Sequence, residues 1–208
     1  VHQGIAATAS GTAEYAAKYR ELFYRSFGNS GLVVSEAGFG GYRVDVSVAE
    51  HRQALEHALR SGINLIDTSA NYADGGSEQL VGVVLADMIK RGEIDREQVV
   101  VVTKAGYLQG ENMELSRQRK GEGAPFPDLV VFDAELEHCI HPVFLAEQLT
   151  RSLQRMQLTH IDCLLLHNPE YYLKWANHNN IDPEVAQTEY LRRIETAFRY
   201  LESEVKSG

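Results

Sequence analysis

Three short apolar runs, NLIDT, QVVVVTK and IDCLLLH, each follow a stretch with helical periodicity. That alternation constrains the chain more than any other feature. Strands that are apolar on both faces belong in a covered parallel sheet, and parallel neighbours need a crossover element between them. The first helix is predicted over SVAEHRQALEHALRSG. Ser47 and Glu50 open it as a capping box, Gly62 stops it, and Val48, Leu55, Ala58 and Leu59 share one face. SEQLVGVVLADMIKRG is the second, with Leu80, Val81, Val84, Leu85 and Met88 inward and Gly92 as its stop. PVFLAEQLTRSLQRMQL is the third, with Leu145, Leu149, Leu153 and Met156 on one side. A closing helix is entered through Asp182 and Pro183 and carries Leu191, Ile194, Phe198, Leu201 and Val205. Ahead of all these, LFYRSFGNSGLVV reads as a hairpin turning near residues 29–31, followed by a first sheet strand near residues 36–39. The expected fold class is therefore α/β with a parallel sheet.

Composition narrows the partners. The 208 residues carry a net charge of −9, which disfavours a nucleic-acid or anionic membrane surface. No run of apolar residues is long enough for a membrane-spanning helix, and the start lacks the order of a secretory signal. Residues 1–21, rich in Gly, Ala and Ser, read as a flexible segment. Cys139 and Cys163 are too few for a disulfide framework or zinc spacing, so they are expected as free thiols in the cytoplasm.

Three strands end on an ionisable group: Asp67, Lys104 and His167. Right-handed crossovers bring the carboxyl ends of parallel strands to one side, where α/β proteins place their sites. Tyr72, in the loop after the second strand, can reach the same side. A phenol ordinarily titrates near pH 10, so it donates a proton near neutrality only with help. A neighbouring ammonium supplies that help, and a carboxylate can hold the ammonium in place. Tyr72 as general acid, Lys104 as its tuner, Asp67 as the lysine's partner and His167 as an orienting group form a coherent set. Each also has an ordinary structural reading: a strand-end acid, a loop aromatic, a solvated lysine, and a satisfied histidine or metal ligand. The glycines of GFGG either bring backbone close to a cofactor or substrate, or simply make a tight bend.

The motifs resemble those of the aldo-keto reductase family. GFGGYRV is similar to its first-strand motif, and NLIDTSANYADGGSEQLVG to its Asp-Thr-x-x-x-Tyr, Gly-x-Ser-Glu and Val-Gly signature. VVVVTKAG and IDCLLLHNPE match its lysine and histidine strands, so the resemblance spans roughly residues 22–208. It implies a (β/α)8 TIM-barrel fold and places Asp67, Tyr72, Lys104 and His167 on the family's catalytic tetrad. It implies hydride transfer between NADP(H), or alternatively NAD(H), and an aldehyde or ketone. Gly40 and Asp67 are expected at the cofactor, and Tyr42 and Asn168 in the substrate pocket.

Two departures set further expectations. Residues 107–141 form a long insertion, read as an irregular lid or substrate-selecting flap. Only about four βα units and the hairpin are counted, where a complete barrel needs about 250 residues and eight strands. The chain is thus expected to be the amino-terminal half of a barrel, inactive alone, with the main cofactor contacts beyond Gly208. Its missing half or a homo-oligomer is the expected partner. A binding or regulatory subunit on the same scaffold, as in potassium-channel β subunits, is the alternative function. A metal-dependent hydrolase is weaker, since no His-x-His strand is present.

Overall fold

The computed structural model describes residues 6–207. In chain order the elements are α1 (Ala9–Lys18), β1 (Tyr24–Ser26), β2 (Val33–Ser35), β3 (Phe39–Gly40), α2 (Ala49–Arg60), β4 (Leu65–Asp67), α3 (Gly76–Lys90) and β5 (Val100–Ala105). They continue as β6 (Tyr107–Leu108), α4 (Gly110–Gly121), β7 (Val130–Val131), β8 (Glu137–His138), α5 (Pro142–Met156), β9 (Cys163–Leu166), α6 (Tyr171–His178) and α7 (Pro183–Ser207). The chain divides into two compact units. One comprises Val1–Lys104 with Arg151–Leu165, the other Ala105–Thr150 with Leu166–Gly208.

The first unit holds the expected alternation. Its sheet has the order β3-β4-β5-β9, with β3–β4 and β4–β5 parallel. Val99 to Val102 are buried, as a doubly covered strand requires. β9 lies at the sheet edge, so Leu165 is 42% exposed and Cys163 only half-buried, not the buried strand residue the sequence suggested. The hairpin pairs Tyr24 with Ser35 and Ser26 with Val33. Asn64 ties it down: its Oδ1 accepts from Ser35 N at 2.9 Å, and its Nδ2 donates to Val33 O at 3.0 Å and Gln98 O at 3.1 Å.

The core of this unit joins Leu55 and Leu59 of α2, Leu80, Val81, Val84, Leu85 and Met88 of α3, Ile66, Val101 and Met156. Each large side chain so buried contributes about 1.5–3 kcal/mol, against about 1 kcal/mol for a helix cap. Burial of Leu55, Ala58 and Leu59 therefore outweighs the missing side-chain cap at the start of α2. The predicted capping box is absent: Val48 stands at the N-cap with no side-chain bond, and Ser47 turns its N–H and hydroxyl to Asp45 Oδ1.

The predicted flexible segment also needs correction. Val1 to Ile5 lie outside the described residues, but Ala9–Lys18 is a helix whose N-cap, Thr8, accepts from Gly11 N at 3.0 Å. Its small residues are a close-packing face. A Cβ at Gly11 would stand 2.7 Å from Glu97 Cβ, and Tyr15 is buried with its hydroxyl donating to Leu59 O.

Gly82 shows the same economy of space inside α3. A Cβ there would lie 2.6 Å from Met156 C and 2.8 Å from Met156 Cα, backbone that cannot move aside. Alanine has the better helix propensity by about 1 kcal/mol. Gly82→Ala is nevertheless expected to destabilise, by about 1–3 kcal/mol of overpacking. A lowered urea midpoint is the expected reading; a raised one would mean that propensity wins.

The second unit departs most from expectation. Residues 107–141 are not irregular: β6, β8 and β7 form an antiparallel sheet in that order, with Tyr107 opposite His138 and Val130 opposite His138 on its other side. α4 is held by polar groups. Asn112 and Gln148 exchange amide hydrogen bonds at 2.9 Å, Ser116 Oγ donates to Glu137 Oε2 at 2.5 Å, and Lys120 pairs with the same carboxylate. Leu108, Phe126, Cys139 and Phe144 form a core beside it, and burial pushes the Cys139 thiol up to about 12, which keeps it inert near neutrality. At α7, Asp182 accepts from Glu184 N at 2.9 Å and Val185 N at 3.2 Å, as the sequence suggested. Ile194 and Leu201 pack around Ala197, while Leu191, Phe198 and Val205 remain exposed.

Candidate active site

Strand register builds the site. Gly40 lies opposite Asp67, and Asp67 opposite Val102. Side chains repeat every two residues, so Lys104 projects to the same face as Val102, diagonal to Asp67. Lys104 Nζ accordingly donates to Asp67 Oδ2 at 2.7 Å. Its other donors reach Thr68 O at 2.8 Å and the Tyr72 hydroxyl at 3.3 Å. Three acceptors meet the three N–H groups of one ammonium, whose side chain is 13% exposed. Because the ammonium can only donate, Tyr72 Oη accepts from it, and the phenol's own proton is directed elsewhere. The Tyr72 ring also lies 4.7 Å from Nζ, centroid to nitrogen.

The loop that carries Tyr72 is stiffly held. Ala73 and Asp74 have φ of 49° and 50°, and Gly75 follows at 88°. Left-handed backbone costs a non-glycine residue roughly 1–2 kcal/mol, so the surroundings must impose it. They do so at both ends. Ala70 N donates to Lys104 O at 3.1 Å, and Thr68 Oγ1 and Ser77 Oγ lie 2.8 Å apart in a buried hydrogen bond. Behind Ser77, Glu78 is fully buried, accepting from Thr103 Oγ1 at 2.5 Å and from Arg155 Nε at 2.6 Å.

Tyr42 is exposed and meets the Tyr72 ring edge-on at 5.3 Å. Gly40 and its neighbour differ. Nothing lies within 4 Å of a Cβ built on Gly40, whereas one on buried Gly41 would crowd Ser77 Oγ and stand 3.1 Å from Asp67 O. Gly41 is thus the glycine that packing demands.

The structure therefore brings together Asp67, Tyr72, Lys104, Tyr42 and Gly40 within the first unit. His167 and Asn168 belong to the second unit. There His167 packs against Tyr107, ring centroids 4.6 Å apart, and Asn168 Oδ1 accepts from the Tyr107 hydroxyl at 3.1 Å. Sequence reasoning missed Thr68 O as a lysine acceptor, a backbone role no side-chain pattern announces. It also missed His138, whose ring nitrogen lies 2.7 Å from His167 O. Among the described residues no group of three or more His, Cys, Asp or Glu side chains is arranged to hold a metal ion, and no helix is long and apolar enough to cross a membrane.

The model of the Aldo/keto reductase family matches residues 36–208, most of the chain and every residue just described. The chain belongs to the aldo/keto reductase family. Among curated proteins this aldo/keto reductase chain is 28% identical over 160 residues to aldo-keto reductase AMT2 of Alternaria alternata, covering 72% of this chain and 42% of that protein. Among solved structures it is similar to the holo form of aldo-keto reductase AKR11C1 from Bacillus halodurans, with TM-score 0.54, 24% identity, and coverage of 83% of this chain and 54% of the other. PA4992 from Pseudomonas aeruginosa gives TM-score 0.51 and 25% identity over 82% of this chain and 56% of its own. The chain thus spans about half the length of the relatives it matches. The fold is the α/β type of these reductases.

Proposed function

We propose that this chain carries the proton-donating part of a carbonyl reductase, and that its four βα units belong to a (β/α)8 barrel. One observation carries the reading: Lys104 Nζ is shared between Asp67 Oδ2 and the Tyr72 hydroxyl. The residues suit a nicotinamide cofactor, since Gly40 leaves room for close approach beside Asp67 at the strand end. NADP(H) is the cofactor that family membership favours, with Gly40 and Asp67 among the residues that would hold it. When bound, it supplies the hydride. This chain's own task is the proton. Tyr72 Oη delivers it to the carbonyl oxygen as charge develops there. The ammonium of Lys104 then stabilises the phenolate left behind, and Asp67 keeps the ammonium oriented. His167 enters as the orienting histidine on the strength of its motif alone, and Tyr42 and Asn168 as pocket residues.

The test follows NADPH absorbance with a panel of small aldehydes and ketones, using the chain and any longer product of the same reading frame. Carbonyl-dependent NADPH oxidation that requires Tyr72 supports the reading. Cofactor binding without any turnover in every form would favour the regulatory-subunit alternative.

A further inference from the structure

The second unit contains an arrangement that no sequence motif announced, and it converges on His167. The His167 N–H donates to Ala105 O at 2.8 Å, and its carbonyl oxygen lies 2.7 Å from His138 Nε2. A carbonyl only accepts, so His138 carries a proton on Nε2. Both peptide groups of His167 are thereby tied to neighbours. The next residue, Asn168, has φ 49° and is held on both sides: its Oδ1 accepts from Tyr107, and its Nδ2 donates to Glu170 Oε1 at 3.0 Å.

The ring is held as well as the backbone. Tyr107 meets the His167 imidazole at 4.6 Å with planes 82° apart, and the His138 imidazole at 5.5 Å and 85°. Tyr107 and His138 face each other across β6 and β8, so one strand pair delivers both. Tyr171 completes the packing, stacked on His138 at 5.6 Å. Gly106 makes the approach feasible. A Cβ there would stand 2.6 Å from His167 O and 2.7 Å from His138 Nε2, closer than real Cβ contacts allow. His138 is 2% exposed, and burial lowers its pKa from the ordinary histidine value.

We propose that His138 and Tyr107 are positioning residues for His167, fixing respectively its carbonyl and its ring; the catalytic consequence rests on the reductase reading above. The insertion that supplies them is then a brace for that histidine. A brace of this kind acts through geometry, and a misplacement of about 1 Å can cost up to 100-fold in rate.

The experiment is histidine-selective nitrogen NMR on the chain and on the variants H138F, H138Q and Y107L. In the parent, His138 is expected as the Nε2–H tautomer and His167 as one sharp set of ring correlations. H138F is expected to lose that single set, and H138Q, whose amide can donate to the same carbonyl, to restore it. Y107L is expected to disturb the His167 ring while leaving the His138 bond intact. A parent His138 with its only proton on Nδ1 would overturn the proposal, and that reading needs no variant to fold. So would His167 correlations unchanged in H138F and Y107L when circular dichroism reports both folded. In carbonyl reduction, read in whichever form of the protein turns over, the chain or any longer product of the same reading frame, H138F is expected to lower kcat about tenfold with little change in KM, and H138Q to recover it. Reduction untouched by H138F, despite a disturbed His167 ring, would end the catalytic part. Intact NMR coupling with no reduction in any form, longer products of the same reading frame included, would count against the reductase reading and leave the positioning role supported.

Discussion

On the proposed reductase reading, Tyr72→Phe, made in whichever form of the protein turns over, is expected to lower kcat for carbonyl reduction by about 10²–10⁴-fold, the range for losing a positioned general acid. At 1.36 kcal/mol per factor of ten, that is about 2.7–5.4 kcal/mol of transition-state stabilisation. The substitution removes one oxygen, the one 3.3 Å from Lys104 Nζ, and leaves the ring that packs against Tyr42. Cofactor affinity should therefore stay within about twofold, because no proton moves in binding. Lys104→Met is expected to fall at least as far. It removes the charge that favours the phenolate and leaves Asp67 without its 2.7 Å partner. Measurement of kcat and KM separately decides the matter. A fall in affinity with kcat preserved would make Tyr72 a binding residue, and a drop below about tenfold in kcat would end its role as the acid.

Arg155→Met is expected to cost about 3–5 kcal/mol of stability in the first unit, the usual result of stranding a buried charge. Glu78 has no exposed surface, and Arg155, 14% exposed, is its counter-ion at 2.6 Å. Thr103 supplies a second hydrogen bond, but a hydroxyl cannot neutralise a carboxylate. The double variant with Glu78→Met as well removes the stranded charge and should recover much of the loss. Urea midpoints for the two singles and the double measure this directly. Equal destabilisation of Arg155→Met and the double variant would mean that shape, not charge, holds the pair together. The pair matters beyond stability. Gly75 abuts Arg155, with a built Cβ 2.6 Å from its Cδ, and Gly75 closes the strained turn that begins at Tyr72. Loosening Arg155 should thus lower kcat as well, by releasing the turn.

Much of the candidate site's placement was legible because it obeys simple periods. QVVVVTK had to be a buried strand, and its lysine had to sit at the carboxyl end. The inward residues of α3 were named correctly from spacing of three and four. The closing helix was legible in extent but not in environment, since Phe198 and Val205 are exposed despite their helical spacing. The insertion was illegible for a physical reason. GENMELSRQRKG has almost no apolar stripe, and its helix is held by Asn112, Ser116 and Lys120 reaching partners far along the chain. Hydrophobic periodicity carries no information about such bonds. Residues 9–18 misled in the opposite way, since Gly, Ala and Ser read as slack but serve to let a helix sit close on Glu97.

By itself the sequence determined the α/β alternation, the strand ends at Asp67 and Lys104, and the family motifs around them. Those depend on local pattern: period two in strands, 3.6 in helices, and glycine where chains turn. Tertiary structure alone decided that Asp67 stands opposite Val102, which places its carboxylate on the diagonal to Lys104, and that His138 meets the carbonyl of His167. Register and long-range hydrogen bonds join residues distant in the chain, and their energies depend on pairing that no local window contains.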